Sequence, residues 1–84
     1  MDYNSRITGL VVGRIRARRG MTQEVLSGLA GIGRSHLAMI ETGSKNASVG
    51  TLWKIAAALD MRLSELVRLI EEETERGARP PTER

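Results

Sequence analysis

The 84-residue sequence contains no cysteine. A disulfide framework and a thiolate metal site are therefore excluded, and a reducing cytoplasm is the compartment this composition fits. No apolar run approaches the roughly 18 residues needed to cross a bilayer. The opening residues, Met1-Asp2-Tyr3-Asn4-Ser5, lack the basic-then-apolar layout of a signal peptide. A soluble, cytoplasmic protein with no membrane partner is the expectation. There is one histidine, His36, and no pattern of carboxylates at metal-ligand spacing. A nucleophilic triad would have to recruit that same histidine, so neither catalysis nor a metal site is expected. With no ligand-binding domain in view, no cofactor or small-molecule ligand is expected either. Strand-like alternation of useful length, internal repeats and a second domain are also missing, which leaves an all-α fold class. Trp53 and Tyr3 are the only aromatic residues.

A chain this short buries only about 60% of its unfolded surface, near the lower limit for folding alone, so self-association would help it. The formal net charge of +3 is modest, but its distribution is uneven. Arg14, Arg16, Arg18 and Arg19 crowd one stretch, Arg34 and Lys45 flank another, and the acids gather at Glu71-Glu72-Glu73. A basic side opposed to an acidic end suits a polyanion bound in one orientation. The same balance is also what the solvated faces of an ordinary small helical protein carry.

The most informative stretch runs from Thr22 to Gly43 and reads as two short helices around the turn Gly31-Ile32-Gly33. Thr22 can cap the first of them by accepting from backbone N–H groups of the next turn. That helix turns Leu26 and Ala30 inward, and Ser27 and Gly31 are small enough for a close, steep crossing. Gly31 can adopt the left-handed conformation that ends a helix abruptly, with Ile32 filling the space between the two helices. In the second helix, 100° per residue places Leu37 and Ile40 on one side and Ser35, Ala38, Met39 and Thr42 on the other. This is the pattern of a helix-turn-helix, in which the second helix offers its outer face to DNA.

The flanking segments supply packing. A first helix spans Asn4 or Ser5 to Arg18, with Leu10, Val11 and Ile15 as its apolar stripe and Val12 widening it. Gly13 inside it costs on the order of 1 kcal/mol relative to alanine, tolerable where another backbone packs close. Gly20 ends that helix, and Met21 tucks inward. After the loop Thr42-Gly43-Ser44-Lys45-Asn46-Ala47, Ser48 caps a fourth helix to about Leu59, whose buried side carries Leu52, Ile55, Ala56 and Leu59. A fifth helix from Leu63 to Arg76 carries Leu63, Leu66, Val67 and Ile70 at helical spacing, with Leu69 beside them, and Gly77 stops it. The expected division is a short lead over 1–5, a helix-turn-helix DNA-binding domain over 6–76, and a mobile tail without hydrophobic period over 77–84.

Residues 12–66 resemble the Cro/cI-type (XRE-like) helix-turn-helix domain of phage repressors and restriction-modification controller proteins. The resemblance rests on Arg16, Gly20-Met21-Thr22-Gln23-Glu24, Leu26, Ala30-Gly31-Ile32, Arg34-Ser35, Ile40-Glu41 and Gly43, then Thr51-Leu52, Lys54-Ile55-Ala56 and Leu63-Ser64-Glu65-Leu66, in order and without a gap. It implies a compact five-helix fold of the lambda-repressor-like type with the motif at helices two and three. The function it implies is a sequence-specific transcriptional regulator, a repressor or controller, on double-stranded DNA. Gly33 stands where the family usually caps the reading helix with serine or threonine, Ala47 where proline is common, and Arg62 where a capping residue begins the fifth helix.

The resemblance also implies roles for particular residues. Arg34 and Ser35 match the base-contacting start of the reading helix, and arginine is the side chain best shaped to bridge O6 and N7 of a guanine. Ala38 and Met39, facing outward, suit a thymine methyl. His36, on the flank, is either a base or phosphate contact or a partly buried neighbour of Leu37. Gln23 matches a residue that fixes a phosphate together with free N–H groups of its helix end, which suits an anion. Lys45 and Asn46 match backbone-gripping positions, and Thr22 and Arg19 are grouped with them as phosphate contacts. Arg16 and Glu41 match a largely buried structural ion pair.

Val25 and Leu29 occupy positions usually charged, and form either a partner surface or packing against the first helix. The fifth helix carries more apolar surface than one small core can cover, which leaves Val67, Leu69 and Ile70 as the expected interface of a two-fold homodimer reading a pseudo-palindrome, its reading helices about 34 Å apart. The alternative function is a protein-interaction module such as the antitoxin of a toxin–antitoxin pair, for which only the short tail after Arg76 could wrap a partner.

Overall fold

A computed structural model describes residues 2–78. Five helices follow one another: α1 (Ser5–Arg18), α2 (Gln23–Ala30), α3 (Arg34–Thr42), α4 (Val49–Ala58) and α5 (Leu63–Ala78). Among the described residues there is no strand, and none of the helices is long and apolar enough to cross a membrane.

Local chemistry accounts for the boundaries. Asn4, Thr22 and Ser48 each accept a backbone N–H in the first turn of α1, α2 and α4. Gly33 precedes α3 with no side-chain cap bond. The α5 start uses the other half of a capping box, in which the Glu65 carboxylate accepts the Arg62 N–H at 2.8 Å. α2 ends at Gly31, whose φ of 71° lies in the left-handed region, and the Ile32 N–H donates back to the Ser27 carbonyl at 3.0 Å. The end of α4 turns in the same way through Asp60, a non-glycine residue at φ 59°.

α1 packs on α3 and α5, α2 on α3 and α4, and α4 on α5. Their shared core is built from Val12, Leu26, Leu37, Ile40, Ile55, Leu59 and Leu66, all shut off from solvent, with Val11, Ile15, Ala30, Ala56 and Ile70 around them. Burying each large aliphatic side chain contributes roughly 1.5–3 kcal/mol.

Several details depart from the sequence reading. Val12, not Leu10, is the centre of the α1 stripe, and Leu10 is exposed. Gly77 does not stop α5, which continues through it to Ala78, and the remainder of the expected mobile tail lies outside the described residues. Val25 and Leu29 do not pack against α1 but stand exposed. Most consequentially, Val67, Leu69 and Ile70 do not share one free face. Ile70 is buried in the core, Leu69 packs partly against it on the flank toward α1, and Val67 emerges on the opposite flank.

Candidate nucleic-acid interface

Leu37 and Ile40 anchor α3 with essentially no solvent exposure, and this fixes which of its residues look outward. Arg34, Ser35 and Met39 are exposed, while His36 and Ala38 are half-buried on its flanks. The helix is driven hard against α1 by the absence of a side chain at Gly9, where a Cβ would lie 2.3 Å from the Ile40 carbonyl oxygen.

The loop after α3 is tied down at several points. The Met39 carbonyl oxygen accepts from the Lys45 N–H at 3.2 Å, the Thr42 hydroxyl at 3.1 Å and the Ser44 hydroxyl at 3.2 Å. The Ser5 hydroxyl donates to the Gly43 carbonyl at 2.8 Å. Gly43 itself has φ 83° and lies against the Arg6 backbone, so a side chain there is excluded twice. Lys45 and Asn46 are thus exposed side chains on a fixed backbone next to the outer face of α3.

At the start of α2, the exposed Thr22 places its hydroxyl oxygen on the Val25 N–H at 3.1 Å, and the N–H groups of Gln23 and Glu24 have no protein acceptor among the described residues. Two unpaired donors at the positive end of a helix suit an anion. The Gln23 carboxamide is turned inward, donating from Nε2 to Glu41 Oε1 at 3.0 Å. Glu41 also receives Arg16 Nε at 2.7 Å and Arg16 Nη2 at 3.0 Å, a two-pronged pair, while Arg16 Nη1 donates to the Met21 carbonyl at 2.8 Å. The hydrogen bonds to Glu41 raise the Arg16 pKa, its attraction adds to this, and burial opposes them.

The ion pairs decide which arginines remain available. Arg16 is held by Glu41, and Arg14 reaches across to Glu73 on α5 at 3.2 Å, with Arg76 also on Glu73. The basic stretch and the acidic end therefore meet in part instead of opposing each other. Arg18, Arg19, Arg34 and Lys45 have no acidic partner among the described residues. Neither does Arg6, exposed beside Gly43 and absent from the residues singled out by sequence. Nothing in its local sequence marks it, because its place is set by the α1–α3 contact.

Comparison with known proteins agrees with this geometry. The helix-turn-helix family model HTH_3 matches residues 12–66. An uncharacterized HTH-type transcriptional regulator, y4dJ of Sinorhizobium fredii, is 34% identical over 62 residues, covering 74% of this chain and 80% of its own. Another from Archaeoglobus fulgidus is 36% identical over 58 residues, covering 69% and 83%. Among solved structures, the restriction-modification controller protein C.AhdI from Aeromonas hydrophila is similar, with TM-score 0.72, 34% identity, and coverage of 74% of this chain and 94% of that one. The wild-type controller protein C.Esp1396I, at 24% identity, shares the fold with TM-score 0.80 over 90% of this chain and 99% of its own. The capped α2, the Gly31 turn and the outward row of α3 are the parts of a helix-turn-helix, and the chain belongs to the helix-turn-helix family of DNA-binding transcriptional regulators.

Proposed function

We propose that the protein is a sequence-specific repressor or controller that binds a pseudo-palindromic operator in double-stranded DNA as a homodimer, in the cytoplasm. The observation that carries the reading is the exposed row Arg34, Ser35 and Met39 on a helix fixed from behind by Leu37 and Ile40, with Lys45 and Asn46 exposed at its end. Arg34 and Ser35 read base edges, with Met39, Ala38 and His36 beside them in the major groove. Gln23, Thr22, Lys45, Asn46, Arg19 and Arg6 grip phosphates on either side. The likeness to C.AhdI supports the controller branch.

One reading helix covers only a few base pairs, so selectivity calls for two copies. The face that suits a second copy is the Val67 flank of α5, where Tyr3, Leu52, Val67 and Ile70 line an open apolar groove of about 280 Å³. Ser64, one turn earlier on that flank, lies with Leu63 beside the exposed Trp53 of α4. Selection of bound duplexes from a random pool tests the proposal. Recovery of two inverted half-sites one helical turn apart is expected, and recovery of no consensus would refute sequence-specific reading.

A further inference from the structure

We infer that Glu41, part-buried behind the start of α2, positions Gln23 for its phosphate contact by fixing which end of the Gln23 carboxamide lies inward. The two ends of a carboxamide are nearly the same size, yet only the NH2 end can donate to an anion. A carboxylate accepts and cannot donate. Glu41, with its side chain 9% exposed, therefore holds Nε2 at 3.0 Å and excludes the flipped amide. The second hydrogen on that nitrogen remains for a phosphate lodged beside the unpaired N–H groups of Gln23 and Glu24.

The rest of the network keeps the carboxylate in place. Arg16 bonds both of its oxygens and, through Nη1, the carbonyl of Met21, one residue before the cap of α2. Gly13 leaves room for it, since a Cβ there would lie 3.2 Å from Glu41 Oε1. Glu41 is thus a positioning residue that acts on DNA through Gln23, beyond its part in the ion pair with Arg16.

The inference rests on the DNA-binding reading, and its test separates the two. Affinity for a random-sequence duplex at low salt is measured for the wild-type protein, Gln23→Ala, Glu41→Gln, the double variant and Arg16→Lys. Gln23→Ala and Glu41→Gln are each expected to weaken binding by about tenfold or more, the loss of one hydrogen bond to a charged group, with the double variant no weaker than Gln23→Ala alone. Arg16→Lys breaks the two-pronged pair but leaves the carboxylate facing Gln23, and is expected to bind within about twofold of wild type while losing stability. Additive losses in the double variant, or an Arg16→Lys loss equal to that of Glu41→Gln, would overturn the inference and leave DNA binding intact. A wild-type protein without affinity for the duplex would overturn both. The side-chain amide resonances of Gln23 in the wild-type protein give a readout that needs no variant to fold. The proton facing Glu41 is expected to exchange slowly with solvent and the other to shift when duplex is added; two protons that both exchange as fast as those of an exposed glutamine would refute the proposal.

Discussion

A methyl group on Gly9 would sit 2.3 Å from the Ile40 carbonyl oxygen and 2.4 Å from that of Glu41, so α1 and α3 touch backbone to backbone at this residue. Backbone cannot swing aside as a side-chain tip can. Gly9→Ala is expected to push the reading helix away from α1 and to destabilise the fold by about 3 kcal/mol, outweighing the roughly 1 kcal/mol gained in helix propensity. Gly13→Ala meets only the Glu41 carboxylate, at 3.2 Å. It is expected to cost much less, and denaturant midpoints of the two variants make the comparison.

The Arg16–Glu41 pair has side chains 19% and 9% exposed, buried enough that removing one partner strands the other. Arg16→Met is expected to lower stability by about 3–5 kcal/mol, a large share of what so small a domain has, and Arg16→Met/Glu41→Met to recover much of the loss. The Arg16 pKa is raised on folding, so its contribution is complete below the pKa of an unfolded arginine. It is lost only as pH rises through the higher folded value, far into alkali. The stability gap between wild type and Arg16→Met should therefore stay constant from neutral pH into the mildly alkaline range.

Arg34 and Lys45 are both exposed cations at opposite ends of α3, yet they are assigned different work. Arg34→Ala is expected to relax selection at one base pair per half-site. Lys45→Ala should weaken all sequences alike and lower the salt slope by about one unit. Binding to operator and random duplexes across a salt series separates the two. Equal losses on both DNAs for both variants would contradict the base-reading role of Arg34.

Val25 is 49% and Leu29 62% exposed, one turn apart on α2. The Val25→Glu/Leu29→Glu variant is expected to change stability by less than about 1 kcal/mol and to leave DNA affinity within about twofold. A steep loss of stability would show that these residues are packed after all.

Signals carried within a few residues were legible in the sequence. Thr22 and Ser48 cap their helices, Gly31 turns, and the 3.6-residue period puts Leu37 and Ile40 inside, because neighbours along the chain decide each of these. Features set by the meeting of distant elements were not. A glycine in a helix does not say what faces it, so Gly9 and Gly13 look alike in the sequence although only Gly9 meets the backbone of another helix. Leu10 and Val12 have comparable hydropathy, and only the direction of α3 decides which is buried. The inward turn of Gln23 depends on Glu41 being 18 residues away in sequence and 3.0 Å away in space. Apolar residues on α5 likewise suggested a surplus, but the sequence could not tell that α1 and α4 take opposite flanks of that helix.

That division of α5 sharpens the dimer prediction. The Leu69 flank closes against Val11 and Ile15 under a cover of charged residues, Arg14, Arg18, Glu72, Glu73 and Arg76, and offers a partner little apolar area. On the other flank, Val67 is 38% exposed beside Tyr3 and the open groove, and Trp53 stands 63% exposed on α4. An isologous contact through this second flank buries those side chains on both copies and leaves both copies of α3 uncovered. Val67→Glu is expected to leave the helical fold intact and to give a monomer at micromolar concentration whose operator affinity falls by at least about a hundredfold, since two half-sites no longer bind together. Ile70→Glu, by contrast, places a carboxylate in the core and is expected to unfold the chain, not to release a folded monomer. Trp53 is the only tryptophan, so its emission should move to shorter wavelength as wild-type protein is concentrated, and should not move in Val67→Glu. Sedimentation showing a wild-type monomer at micromolar concentration, or an undisturbed dimer in Val67→Glu, would rule this face out.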